Sequence, residues 1–226
     1  MLDVNKIYCG DFSDFMGELP PTVSAVITDP PYNIGYKYSS YPDQLSADEY
    51  INMLSSFGGI PSAIISYPEE TMKYVAPALG TPDEVLIWCY NSNIRKQSRL
   101  ISIYGLPIYF ERVLQPYKNP RDKRIKALID GGSEGTPIYD WFSDIQLEKN
   151  VCKDKKEYPH PCPVPVKLME RIILLTTEVG DVILDPFMGS GTMAIACIRT
   201  FRQYIGIEIS PEYCATAERR IKDELS

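Results

Sequence analysis

Apolar residues occur in short blocks separated by polar or Pro/Gly-rich stretches, and two periodicities alternate along the chain. The runs at 6–9, 23–28, 84–90, 181–184 and 203–208 are too short for helices and read as buried strands. Segments 106–115 and 138–143 read as further strands. Helical spacing appears at 165–177, where Leu168, Ile172 and Leu175 share one face behind a proline in the first turn. Ser46-Ala47-Asp48-Glu49 is a capping box opening a helix to about residue 57. Other helices are predicted through Met16 and over 69–79, 94–103, 192–200 and 211–224. Strands alternating with helices predict an α/β domain, a mostly parallel sheet covered on both faces. No repeat or linker divides the 226 residues, so one domain over 1–226 is expected.

Composition narrows the class. No run of about 18 apolar residues exists, and the start lacks a basic-then-apolar leader, so a soluble, cytoplasmic protein without membrane attachment is expected. Six scattered cysteines without a C-x-x-C pattern suit free thiols. Cys152, His160 and Cys162 make a poor zinc set with only one histidine in the chain, and no metal is expected. A net charge of −7 argues against nonspecific nucleic-acid coating. Basic residues nevertheless cluster: Arg95, Lys96 and Arg99, and more densely Lys118, Arg121, Lys123, Arg124 and Lys126. Such runs are usually solvated faces and permit phosphate contact without requiring it.

Two strand ends carry candidate chemistry. The run 23–28 ends in Asp29-Pro30-Pro31-Tyr32. Proline cannot continue a sheet ladder, so a rigid loop begins at a strand's carboxyl end, where ligands of open α/β sheets bind. The loop offers a carboxylate, a fixed carbonyl and an aromatic face. A planar base with an exocyclic amine needs two acceptors and a ring to stack on. The same residues also make an ordinary Pro-rich turn with a surface acid, and the rest of the chain must decide.

The second strand end is Leu184-Asp185-Pro186-Phe187-Met188-Gly189-Ser190-Gly191-Thr192. Its glycines let a ligand approach the backbone at a helix start. Glu208 lies seventeen residues beyond Gly191, at the end of the next strand, where an acid can take the two hydroxyls of a ribose. G-x-G-x-x-G is absent, which disfavours a dinucleotide.

Asp-Pro-Pro-Tyr followed by Asp-Pro-Phe-Met-Gly-Ser-Gly-Thr resembles the S-adenosylmethionine-dependent DNA amino-methyltransferases of the permuted beta group, in which the catalytic loop precedes the cofactor loop. His160-Pro161-Cys162-Pro163-Val164-Pro165, with Leu168 and Arg171, resembles that group's lead-in to the cofactor loop, and Gly10-Asp11 its opening strand. The resemblance covers 6–36 and 158–220 well and 84–115 in outline.

It implies a seven-stranded, mostly parallel Rossmann-like methyltransferase fold with circularly permuted motif order. Asp185, Phe187, Gly189, Ser190, Gly191 and Thr192 would line the methionine side of the cofactor, Glu208 its ribose and Asp11 its adenine amine, with Asp29 also bordering it and Pro165 closing over the methionine tail. Many relatives carry lysine where this chain has Val164, which is therefore given no role. Asp29 and Pro30 would accept the N–H groups of a flipped-out base, with Pro31 completing the loop and Tyr32 stacking on the base.

Asp rather than Ser at position 29 tilts the resemblance toward adenine N6, with cytosine N4 as the alternative. An RNA methyltransferase would more often carry Asn-Pro-Pro-Tyr after the cofactor loop, and an inactive binding module would have eroded the catalytic one. A Pro-Cys nucleophile at Cys162 would fall in the wrong motif for carbon methylation. The expected partner is double-stranded DNA, contacted by the basic residues of a small recognition stretch at 116–158. That stretch is too short to read a long site alone, so a homodimer is one expectation.

Overall fold

The computed structural model describes residues 1–36, 41, 43–91, 96–147 and 164–226. Strand β1 (Lys6–Cys9) leads through the short helix α1 (Phe12–Phe15) to β2 (Val23–Thr28) and helix α2 (Ala47–Ser55). Strand β3 (Ser62–Ser66) is followed by α3 (Pro68–Glu70), a π turn (Thr71–Val75) and α4 (Ala76–Leu79). Then come β4 (Glu84–Cys89), β5 (Ser98–Tyr104), the two-residue β6 (Leu114–Gln115), α5 (Lys123–Asp130), β7 (Thr136–Pro137) and β8 (Trp141–Phe142). The chain closes with α6 (Val166–Thr176), β9 (Val182–Asp185), α7 (Thr192–Arg199), β10 (Gln203–Glu208) and α8 (Pro211–Glu224).

One sheet has the order β1-β10-β9-β2-β3-β5-β4-β8, eight strands where seven were expected. β5 is antiparallel to both of its neighbours, and the remaining pairings are parallel. The carboxyl ends of the other strands therefore share one rim with the start of β5. Alternation along β2 shows why both faces are covered. Ala25 and Ile27 enter a core with Leu168, Ile172 and Ala194, whereas Val26 enters one with Tyr50, Leu54 and Phe57. Among the described residues no helix is long and apolar enough to cross a membrane.

Several sequence expectations change. Segment 94–103 contributes a strand, not a helix: Arg99, Ile101 and Ile103 alternate inward along β5, while 92–95 lie outside the described residues. Strand β3 had gone unpredicted, although Ser62-Ala63-Ile64-Ile65-Ser66 is a short apolar run between Pro61 and Pro68. The predicted strand at 106–115 reduces to β6, because Gly105 turns at φ +65° and Pro107 has no N–H to donate. The predicted strand at 138–143 shrinks to the edge strand β8. The basic stretch holds a helix: Asp122 caps α5 by accepting from the Arg124 and Ile125 amides.

Candidate active site

β2 and β9 are neighbours, so two loops distant in sequence leave the rim side by side. Their last residues are bonded: the Thr28 hydroxyl donates to Asp185 Oδ1 at 2.6 Å, and the Phe187 amide donates to the same oxygen at 3.1 Å. Burial nevertheless pushes the Asp185 carboxyl up to about 7. On β10, Glu208 accepts from the Gly189 and Ser210 amides, each at 2.8 Å, and burial also raises its carboxyl. Beyond β1, Asp11 accepts from the Ser13 amide at 2.9 Å and the Ser13 hydroxyl at 2.7 Å, capping α1. The glycine-rich turn has left-handed backbone at Gly189 (φ +53°) and Gly191 (φ +83°). A Cβ on Gly191 would lie 2.9 Å from that of Ala217, so this glycine also lets α8 pack closely. Arg220 ties the turn down, donating to the Ser190 carbonyl at 2.6 Å and hydroxyl at 2.7 Å.

The other side of the rim is aromatic and basic. Asp29 accepts from the Tyr32 hydroxyl on Oδ1 and from Arg99 Nη1 on Oδ2 at 3.2 Å. Burial raises the Asp29 carboxyl, and Arg99 is the leading influence opposing that rise. Tyr32 meets Tyr67 edge-on with centroids 5.0 Å apart. The Lys96 ammonium lies 4.2 Å from the Tyr67 ring centroid. The Tyr50 hydroxyl donates to the Pro31 carbonyl and pins the loop to α2. The buried Asp43 carboxylate accepts from the amides of Asn33, Ile34 and Tyr36 and so anchors the segment that follows Tyr32.

Both sides open into one cavity of about 700 Å³. It brings together Asp11, Asp29, Pro30, Pro31, Tyr32, Asp185, Phe187, Gly189, Ser190, Thr192 and Glu208 of the predicted set. Gly191, the N-cap of α7, is not among the lining residues. Pro165 is the N-cap of α6, and its neighbour Val164, to which no role had been given, supplies the cavity wall. None of Lys118, Arg121, Lys123, Arg124 and Lys126 lines the cavity. Lys118 lies over the Tyr139 and Trp141 rings, and Lys123, Arg124 and Lys126 belong to α5. Residues 148–163, including His160 with its flanking motif and the rejected zinc set, lie outside the described residues.

Sequence reading missed Arg99, Tyr67 and Asp43 as parts of the site. The inward alternation of Arg99, Ile101 and Ile103 was the available signal for the first. The other two become visible only through pairing and loop closure.

The family model described as DNA methylase, for N6 and N4 methyltransferases, matches residues 60–219. Among curated proteins, the type II methyltransferase M.HpaI of Haemophilus parainfluenzae is 28% identical over 230 residues, 91% of this chain and 70% of that protein. The DNA adenine methyltransferase YhdJ of Escherichia coli is 27% identical over 249 residues, 97% of this chain and 83% of that protein. Among solved structures, the cytosine-N4-specific PvuII DNA methyltransferase superposes with a TM-score of 0.67 at 17% identity, covering 98% of this chain and 95% of that one. At that identity the likeness speaks for the fold.

Proposed function

The chain belongs to the N6/N4 DNA methylase family, and on that premise we propose that it transfers a methyl group from S-adenosylmethionine to the N6 amine of an adenine flipped out of double-stranded DNA. The observation that carries this reading is the joining of the Asp29–Tyr32 loop and the Asp185–Thr192 loop in one cavity. One supplies acceptors for an amine, the other a ligand-approachable backbone beside buried acids.

The cavity's chemistry fits the cofactor. Asp11, Asp29, Asp43, Glu49, Asp185 and Glu208 line it against Arg99, the one cation among its described lining residues. Such a site favours a ligand bearing a sulfonium and an ammonium. Glu208 would hold the ribose hydroxyls, Asp11 the adenine amine, and Asp185 with the glycine-rich turn the methionine part. When bound, the cofactor supplies an electrophilic methyl group.

The chain's own residues do the rest. An exocyclic amine is a poor nucleophile because its lone pair is conjugated with the ring. Asp29 and the Pro30 carbonyl, each accepting one N–H, would turn that lone pair toward the methyl, so that positioning and electrostatics provide the catalysis. Tyr32 would stack on the base and recover part of the flipping cost, which is on the order of a few kcal/mol. Its hydroxyl already steadies Asp29, so the residue has two tasks rather than the one read from sequence. The basic residues Lys118, Arg121, Lys123, Arg124 and Lys126 would contact phosphates away from the cavity.

Adenine is favoured by the acid at position 29, on family resemblance, and by the adenine specificity in the name of a relative matched over 97% of the chain. The test is to incubate the purified chain with labelled cofactor and DNA or RNA, then identify the methylated nucleoside by digestion and mass spectrometry. N6-methyladenine in DNA is expected. N4-methylcytosine would replace the base, and methylation of RNA alone would replace the substrate.

A further inference from the structure

Arg99 is 4% exposed, and Asp29 is its one acidic partner among the described residues. Its guanidinium is otherwise surrounded by ring faces: Tyr32 and Tyr67 with centroids 5.3 Å away, Trp88 at 5.4 Å and Tyr90 at 5.9 Å. Its Nε is buried and has no hydrogen-bond partner among the described residues. Such a pair is a poor device for stability alone. Arg99 is buried and the Asp29 side chain is only 20% exposed, so the pair carries a desolvation cost, and a well-packed apolar replacement often serves as well or better. Position explains it better: β5 is the reversed strand, and that reversal places its second residue on the rim opposite Asp29.

Resting on the methyl-transfer reading above, we infer that Arg99 is a positioning residue that holds Asp29 as an oriented carboxylate facing the target amine. A carboxylate has about four acceptor sites. Arg99 and Tyr32 occupy one on each oxygen, which fixes the plane of the group and leaves acceptor capacity on the cavity wall. A protonated Asp29 would turn one oxygen into an O–H donor and leave a neutral carbonyl oxygen as a weaker acceptor for the amine. The groups around Asp29 are mostly uncharged or acidic: Tyr32 on its own loop, Tyr67 after β3 and Tyr90 after β4 about the shared guanidinium, and Asp185 on β9, which Thr28 bonds and Glu208 on β10 in turn faces. Lys96 lies over Tyr67 and bridges to Glu70 at 3.9 Å. The guanidinium is thus the leading influence favouring the ionised acid against burial, with the Tyr32 hydroxyl next.

The test compares Arg99→Met, Arg99→Gln and Arg99→Lys in single-turnover methyl transfer at saturating cofactor and DNA across the neutral pH range. Methionine removes charge and donors. Glutamine keeps a donor and serves if the methionine variant is unstable. Lysine keeps the charge. The neutral variants should be slowed about tenfold or more at pH 7 and recover as pH rises, because their acidic limb moves upward. The lysine variant should keep the wild-type limb, and cofactor affinity should stay within several-fold in all three. A ¹³C titration of the Asp29 carboxyl, assigned with Asp29→Asn, should show its midpoint rising by about one pH unit or more in the neutral variants. A neutral variant with a wild-type pH profile overturns the inference, as does equal slowing of all three at every pH. If the wild-type chain methylates no nucleic acid, the proposed function fails, and the carboxyl titration still decides whether Arg99 sets the state of Asp29.

Discussion

The two halves of the rim are built in opposite ways. From β1 to β2 the strands are parallel, and the loops leaving them present Asp11, Glu208, Asp185 and Asp29, each fixed by local amides or hydroxyls. From β3 to β4 the sheet is antiparallel, and its rim presents Tyr67, Arg99 and Tyr90 among aromatic faces. An acid-lined half suits a cationic cofactor and an aromatic half suits a stacked base, with Asp29 at the seam. Strand reversal supplies Arg99 alone, because Tyr67 and Tyr90 leave the carboxyl ends of β3 and β4 just as the acids leave theirs.

The largest expected effect lies at the seam. Asp29→Ala should slow methyl transfer by about 10²–10³-fold or more, while cofactor affinity stays within several-fold. Radiolabel transfer and calorimetry on the same preparation check both halves of that statement, and a variant turning over normally would detach Asp29 from the chemistry. On the acid side, Glu208→Ala should weaken cofactor binding by about 1–3 kcal/mol, since ribose hydroxyls and the Gly189 and Ser210 amides lose their acceptor. Its rate at saturating cofactor should be far less affected than that of Asp29→Ala.

Tyr32 probes the aromatic side. Tyr32→Phe keeps the ring but removes a donor to Asp29 and should cost about tenfold in rate, the worth of one hydrogen bond. Tyr32→Ala should cost more by losing stacking as well. Equal rates for the two variants would mean the ring contributes nothing beyond its hydroxyl.

The contrast between halves also predicts a pH effect. Asp185 titrates near 7 in the fold against 3.8 as an isolated side chain, so its neutral form favours folding. Its stabilising contribution is fully present below the isolated value and is lost as pH rises through about 7. Thermal melting of the free protein should therefore fall between about pH 4 and pH 7, and Asp185→Asn should flatten part of that fall. A cationic ligand favours the ionised form, so cofactor affinity should rise over the same interval. Smallest at the chemical step is the effect of the remote basic residues. Reversing Arg121, Lys123 and Arg124 should weaken DNA binding broadly and lower its salt dependence, seen as a shallower slope in a salt titration.

The same contrast governs what could be read from sequence. The acid half was legible because each element is local: an apolar run, an acid at its end, then Pro or Gly. That pattern gave Asp29 and Asp185 with their strands, and Glu208 followed from its place at the end of the strand after the glycine-rich turn. The other half depends on register between distant strands. Arg99 looked like part of a solvated basic cluster because nothing near it in sequence reveals Asp29 across the sheet. Strand β3 was overlooked and β5 was read as a helix, so the reversal that brings Arg99 to the rim could not be inferred. Val164 was passed over for lacking a charge, yet its apolar side chain is what the cavity wall uses.

The central claim is that one cavity joins a cofactor half to a base half at Asp29. A crystal structure of the chain with bound S-adenosylmethionine tests it most directly. The claim predicts ribose hydroxyls on Glu208, the adenine amine toward Asp11, and the sulfonium methyl facing Asp29 and Tyr32. A cofactor bound with its methyl turned away from Asp29, or seated outside this cavity, would contradict it.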